Sequence, residues 1–104
     1  MDYDTSSEHV RRERTRAREM RRSRWWQNLV NKANCYYCQR SLARAETTMD
    51  HVVPLTQGGK STPGNVVVAC KPCNSTKRDM TAAEWHIQTV SAAPAKLHEI
   101  SDDR

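Results

Sequence analysis

The chain has no phenylalanine, and only 37% of its 104 residues are hydrophobic. A domain of this length with so few large apolar side chains cannot readily offset its conformational entropy by burial alone. Glycine is also scarce, and all three glycines lie within residues 55–64, which predicts a loop there. We therefore expect one small domain that depends on a metal cross-link.

Long hydrophobic runs are absent as well. No segment approaches the roughly 18 apolar residues that a membrane-spanning helix needs. The first residues are acidic and lack the apolar core of a signal peptide. We therefore expect a cytoplasmic protein with no membrane partner. In that compartment, paired Cys-x-x-Cys motifs favour zinc over two disulfides.

Acidic residues are outnumbered, with 12 Asp and Glu against 17 Lys and Arg, for a net charge of +5. Such an excess favours a polyanionic partner, most simply nucleic acid. A membrane surface is the weaker alternative because no clean apolar helix face accompanies the charge.

The positive charge is concentrated near the start of the chain. Good helix formers predict one long helix from about residue 8 to 32. Its second half carries Trp26, Leu29, Val30 and Ala33 at helical spacing, so we expect that half to dock and the first half to project. Arginine suits phosphate contacts, although a solvated arm is the alternative. Eight arginines lie in the projecting half: Arg11, Arg12, Arg14, Arg16, Arg18, Arg21, Arg22 and Arg24.

Four cysteines then bracket an Asp-His pair. Cys35 and Cys38 form the first pair, and Cys70 and Cys73 form the second. This spacing predicts one closed tetrahedral zinc site, which is structural and not catalytic. Residues 46–53 and 65–69 are predicted strands around the glycine-containing loop. Pro72 suits the first turn of a helix through residue 77, and Thr81 opens a further helix to about residue 90.

The stretch over residues 34–80 resembles the HNH endonucleases, in particular their small zinc-ribbon members from bacteria and phages. The segments that carry the resemblance are Cys-Tyr-Tyr-Cys, Asp-His-Val-Val-Pro-Leu-Thr-Gln-Gly-Gly and Asn-Val-Val-Val-Ala-Cys-Lys-Pro-Cys-Asn-Ser-Thr-Lys. The resemblance implies an α+β fold, a ββα-metal finger stapled by the four cysteines. It does not cover residues 1–24, where the predicted basic helix precedes the finger. It also implies metal-dependent hydrolysis of DNA phosphodiesters to 5′-phosphate and 3′-hydroxyl ends.

The same resemblance assigns roles to individual residues. His51 corresponds to the general base, and Asp50 and Asn74 to the ligands of a catalytic Mg²⁺ or Mn²⁺ ion. Asn65 corresponds to a residue that ties the loop backbone and thereby holds the histidine. The last motif position carries Asn instead of His, as in the HNH domains of RNA-guided nucleases.

The resemblance assigns no role to five other basic residues. Lys77 and Arg78 contact either a phosphate near the scissile bond or solvent. His9, His86 and His98 receive no role.

The predicted organisation is a basic N-terminal arm over residues 1–24, a nuclease domain over 25–90 and a polar tail over 91–104. Two alternatives to an enzyme stay open. One is a non-catalytic zinc module that only binds DNA or RNA. The other is an interaction domain in which Trp25, Trp26 and the long helix form a homodimer or dock on a partner.

Overall fold

The computed structural model describes residues 5–87. Two predictions fall outside this range: the end of the last helix near residue 90 and the polar tail over 91–104. Within it, residues 82–87 are helical. The capping box that opens this helix is confirmed, since Thr81 N donates to Glu84 Oε1 and Glu84 N donates to Thr81 Oγ1.

The predicted long helix is divided into two, α1 (Ser7–Arg21) and α2 (Arg24–Asn31). Ser23 causes the division because its hydroxyl serves both helix ends. It donates to the Met20 carbonyl oxygen at 2.6 Å and accepts the Trp26 N–H at 3.2 Å. A serine that caps a helix in this way competes with continuation of the preceding helix. The prediction of one continuous helix over 8–32 is therefore wrong.

The expectation that the arginine-rich half projects is also wrong. One side of α1 is buried against the rest of the domain through His9, Glu13 and Ala17, which are exposed by only 1%, 1% and 2%. These residues are spaced by four and so share a helix face. Two of the three are polar, so hydrophobic periodicity did not reveal the packed face.

Helix α2 docks largely as predicted. Trp26 and Val30 are buried, and so is Ala33, which follows the helix in strand β1. Leu29 departs from the prediction, since 39% of its surface is exposed.

Two antiparallel strand pairs follow the helices. Strands β1 (Ala33–Asn34) and β2 (Ser41–Leu42) form a short hairpin around the first cysteine pair. Strands β3 (Thr47–His51) and β4 (Val66–Cys70) pair along their full length, with His51 opposite Val66. Both predicted strands are confirmed, with ends one or two residues from the expected positions.

Helix α3 (Lys71–Lys77) starts directly after β4. Pro72 lies in its first turn, as predicted, where its missing N–H costs no helical hydrogen bond. Strands β3 and β4 with α3 make the expected ββα unit, and the fold is α+β.

The loop between β3 and β4 depends on its glycines. Gly58 has φ of 91°, a left-handed conformation that favours glycine. A Cβ atom on Gly59 would lie 1.8 Å from the Val53 carbonyl oxygen. The chain can therefore make this close turn only with hydrogen in place of a side chain at position 59.

The core lies between α2, the two hairpins and the inner face of α1. Within residues 5–87 no helix is long and apolar enough to cross a membrane. The buried apolar residues are Ala17, Trp26, Val30, Ala33, Cys35, Leu42, Met49, Val66, Val68, Ala69 and Cys70.

Candidate active site and metal centre

The four cysteines come together at one end of the ββα unit. Their Sγ atoms all lie within 4.8 Å of one another, and none forms a disulfide. Zinc–sulfur bonds of about 2.3 Å in a tetrahedron place the sulfurs roughly 3.8 Å apart. The Cys38 and Cys70 Sγ atoms are 3.9 Å apart. The donor set and its spacing therefore fit a zinc ion.

Backbone N–H groups around the cluster point at its sulfurs. Cys35 Sγ accepts hydrogen bonds from the N–H groups of Tyr37, Cys38 and Cys70 at 3.3–3.5 Å. Burial by itself raises the pKa of the Cys35 thiol, but these donors outweigh it and lower the pKa to about 6. These hydrogen bonds therefore favour the thiolate of Cys35, which is the form that binds metal. Burial and the neighbouring cysteines instead raise the pKa of the Cys73 thiol.

A cavity of about 190 Å³ lies beside the end of β3. Its lining includes Asp50, His51 and Asn74, the three residues predicted to act on the substrate or hold its metal. Strand β3 supplies the first two, and the first turns of α3 supply the third. Arg14 from α1 and Arg78 after α3 line the same cavity.

Asp50 is held by two neighbours that the sequence did not indicate. The Tyr37 hydroxyl donates to Asp50 Oδ2, and Lys77 Nζ lies 3.2 Å from the same oxygen. Burial and the hydrogen bond to Asp50 raise the pKa of Tyr37, so the phenol stays protonated as a donor. The carboxylate is therefore oriented before any cation binds.

The structure does not place Lys77 where a phosphate contact needs it. Its side chain is completely buried, with the ammonium group donating to the His51 carbonyl oxygen at 3.1 Å and paired with Asp50. A buried carboxylate is costly unless it is paired, and Lys77 supplies that pairing. Arg78 is exposed at the cavity, so it stays a candidate for phosphate contact.

The His51 ring is fixed by one hydrogen bond. Its Nε2 lies 2.9 Å from Ser61 Oγ, and Ser61 Oγ lies 2.7 Å from the Glu13 carbonyl oxygen. A carbonyl only accepts, so the single serine proton is directed at Glu13. The serine oxygen must then accept from Nε2–H, which leaves Nδ1 as the basic nitrogen of the neutral ring.

The surroundings of His51 keep its ring neutral. Burial lowers the pKa of His51 below the ordinary imidazole value. The Asp50 carboxylate opposes this shift, and the cations of Arg21 and Lys77 reinforce it. The ring is therefore unprotonated near pH 7, the state in which it can accept a proton.

Asn74 turns one end of its amide to strand β3. Nδ2 donates to Thr48 Oγ1 at 2.9 Å and approaches the Met49 carbonyl oxygen at 3.4 Å. This orientation leaves the amide oxygen as the atom that can serve a cation. Asp50 and Asn74 both line the cavity, and carboxylate and amide oxygens are the ligands that Mg²⁺ prefers.

Asn65 makes the loop contacts expected of it. Its Oδ1 accepts the Val53 N–H at 2.9 Å, and its Nδ2 donates to the carbonyl oxygens of Val53 and Lys60 at 3.0 and 2.8 Å. One side chain therefore closes the loop that begins directly after His51.

Part of α1 borders the same region. A second hollow, beside the cavity, is lined by Arg14, Arg18, Arg21 and His51. The three arginines are spaced by four and three residues and so lie on one helix face. The arginines of α1 therefore differ in position, since only some of them lie next to His51.

The sequence indicated no role for four residues at or next to this site: His9, Glu13, Tyr37 and Ser61. Tyr37 lies within a cysteine motif and Ser61 within a loop, and neither position has a periodic pattern. The spacing of His9, Glu13 and Ala17 by four residues was the available signal for α1. It is hidden because a histidine and a glutamate there are expected to face solvent.

Comparison with known proteins agrees with this geometry. The family described as HNH endonuclease matches residues 35–88, which include the four cysteines, the Asp-His pair and both asparagines. The CRISPR-associated endonuclease Cas9 of Corynebacterium diphtheriae is 34% identical over 64 residues. That similarity covers 59% of this chain but only 6% of the relative's length. From the matched residues and the ββα unit that carries them, this chain belongs to the HNH endonuclease family.

Proposed function

We propose that this chain is a metal-dependent endonuclease that hydrolyses phosphodiester bonds in DNA. The observation that carries the proposal is the convergence of Asp50, His51 and Asn74 on one cavity, flanked by Arg14 and Arg78. A general base and two oxygen ligands for a metal, with cations around them, are what hydrolysis of a phosphodiester requires.

His51 acts as the general base. Nε2–H is occupied by Ser61, so Nδ1 takes a proton from the water that attacks phosphorus in line. Asn65 keeps the following loop closed and so holds the histidine relative to its neighbours. The products carry 5′-phosphate and 3′-hydroxyl ends.

Asp50 and Asn74 hold the catalytic divalent ion, Mg²⁺ or Mn²⁺. When bound, the ion stabilises negative charge on the phosphate and the leaving oxygen. Tyr37 and Lys77 orient the Asp50 carboxylate for this task. Cys35, Cys38, Cys70 and Cys73 hold a structural zinc ion, so the two metals have separate roles.

Cleavage of supercoiled plasmid by the purified, zinc-loaded chain tests the proposal directly. We expect conversion to open-circle or linear DNA with Mg²⁺ or Mn²⁺ and none with EDTA. The ratio of the two products distinguishes nicking from double-strand cutting. Tight DNA binding with no conversion in any metal would contradict the proposal and favour the non-catalytic zinc module.

The DNA contacts of the N-terminal segment are assigned to the face of α1 that adjoins His51. Arg14, Arg18 and Arg21 lie on that face, where a phosphate backbone entering the cavity would pass. The other arginines of residues 1–24 do not line the hollow beside His51. Their contacts with DNA stay a prediction. Self-association of the chain also stays a prediction.

Substitution of Arg14, Arg18 or Arg21 by Ala is expected to weaken DNA binding and reduce its salt dependence. Each lost phosphate contact lowers the log–log salt slope by about 0.9. Fluorescence anisotropy with a labelled duplex in EDTA measures the slope without cleavage. Point substitutions are preferable to deletion of residues 1–24, because deletion also removes the buried face of α1.

Lys32→Ala is the matched control for that measurement. Lys32 is exposed at the end of α2, and its substitution removes the same unit of charge. Its salt slope should stay at the wild-type value. Equal slopes for the Lys32 and Arg14 variants would show that α1 contributes only to net charge.

A further inference from the structure

Helix α1 is joined to the loop between β3 and β4 by three hydrogen bonds. His9 Nε2 donates to the Gly59 carbonyl oxygen at 2.8 Å. Ser61 N donates to Glu13 Oε1 at 2.7 Å, and Ser61 Oγ donates to the Glu13 carbonyl oxygen at 2.7 Å. The side chains of His9, Glu13 and Ser61 are nearly inaccessible to solvent. Water therefore cannot readily replace these contacts.

Ser61 links helix α1 to His51. Its hydroxyl proton is directed at Glu13, and its oxygen accepts from His51 Nε2–H at 2.9 Å. Its backbone N–H is held by the Glu13 carboxylate. Both polar groups of one serine thus depend on one glutamate of α1, and the orientation of the imidazole depends on that serine.

We propose that Ser61 and Glu13 position the His51 imidazole, which makes α1 part of the catalytic apparatus in addition to a DNA-binding surface. The proposal rests on the proposed role of His51 as the base. Neither residue contacts the reacting atoms, so both are positioning residues that act through His51.

The physical reason is the accuracy that proton transfer requires. The side chain of His51 is held at Nε2 by Ser61, and without that acceptor the ring can rotate or adopt the other tautomer. Misplacement of a reacting group by about 1 Å can cost about 100-fold in rate. The partner that orients a functional imidazole is accordingly worth about 10- to 100-fold in activity.

The test compares kcat and KM on a short duplex for variants of the two residues. Ser61→Ala should lower kcat by about 10- to 100-fold with little change in KM, because DNA binding does not involve the hydroxyl. Ser61→Thr should recover much of this loss because it keeps the hydroxyl. Glu13→Ala should also lower kcat, since it releases the Ser61 backbone.

Two substitutions serve as matched controls. Thr62→Ala removes an exposed hydroxyl from the adjacent position, and Glu19→Ala removes an exposed carboxylate from the same helix as Glu13. Both should keep wild-type kcat. Thermal unfolding of every variant separates loss of fold from loss of positioning, and Ser61→Ala carries the test if Glu13→Ala does not fold.

A second readout does not require cleavage. In protein carrying ¹⁵N-labelled histidine, NMR distinguishes the two neutral tautomers of the His51 ring. The wild type should carry the ring proton on Nε2, and Ser61→Ala should shift the population toward the other tautomer.

The outcomes distinguish this proposal from the proposed function. Wild-type activity in a His51→Ala variant would overturn the base assignment itself. An inactive His51→Ala variant together with wild-type kcat in Ser61→Ala would overturn only the positioning role. An unchanged ring spectrum in Ser61→Ala would also overturn that role, whatever the activity.

Discussion

Substitution of His51 by Ala is expected to lower kcat for DNA cleavage by about 100- to 10,000-fold, the usual contribution of general acid–base catalysis. The Kd for DNA should change little, because the phosphate contacts are assigned to arginines. Structural damage should also be small. Among the described residues, the His51 side chain makes one hydrogen bond, to Ser61, and its backbone stays paired with β4.

The measurement is a single-turnover cleavage rate with saturating Mg²⁺, beside an anisotropy titration in EDTA. His86→Ala is the matched control, since His86 is exposed and lies outside the cavity that His51 lines. Added imidazole should restore part of the lost rate by entering the vacated space. An unchanged rate in a preparation free of contaminating nuclease would show that another group activates the water.

His51 is a better first target than Asp50 because of the neighbours of Asp50. Removing the carboxylate would leave the fully buried ammonium group of Lys77 without its ion pair. Breaking a buried pair on one side costs about 3–5 kcal/mol of stability. If an Asp50 variant lost activity, loss of metal binding could therefore not be distinguished from loss of the folded state.

Removal of zinc, or substitution of Cys35 by Ser, is expected to abolish the folded state. Structural zinc contributes about 10–16 kcal/mol of binding free energy at pH 7 in zinc-finger peptides. That is as large as the whole stability of a typical domain, about 5–15 kcal/mol. The apo chain should therefore lose its cooperative unfolding transition.

The structure explains why this effect should be so large here. The cysteines join the β1–β2 hairpin to β4 and α3, and that hairpin has only two residue pairs of its own. A hairpin of that size is not stable in isolation. Cys35 and Cys70 are themselves members of the small core, so metal loss disturbs its packing directly.

Thermal unfolding followed by circular dichroism, with and without a zinc-selective chelator, measures the effect. Zinc released on denaturation should amount to one ion per chain. Re-addition of zinc should restore the transition. Mg²⁺ depletion, the matched control, should leave a cooperative transition in place. A metal-free chain with the same Tm would contradict the structural zinc.

The candidate residues could be named from the sequence because they lie in short segments that resemble the HNH endonucleases. Asp50 and His51 are adjacent at the end of a β-branched strand, and Asn74 directly follows a metal-spaced cysteine at the start of a helix. A strand, a loop with glycines, a second strand and a helix are local features. Once the two strands pair, the short connection from β4 to α3 brings these side chains to the same hairpin.

The placement of α1 was not predictable in the same way. Its buried face consists of His9, Glu13 and Ala17, residues whose polarity or size carries no hydrophobic signal. The burial of His9 and Glu13 depends on acceptors and donors of a loop some fifty positions later in the chain. Sequence spacing does not indicate which backbone groups such a loop presents.

The burial of Lys77 was likewise not predictable from its position in the sequence. Its position at the end of a short basic helix favoured a solvent or phosphate contact. Tyr37 and Lys77 both reach Asp50 only in the folded chain, since the three residues lie in separate segments. Local sequence thus determined the family and the ββα order, because these depend on neighbours along the chain. Tertiary structure alone decided which charges are buried and which helix holds the histidine, because buried polar groups must find partners wherever the fold brings them.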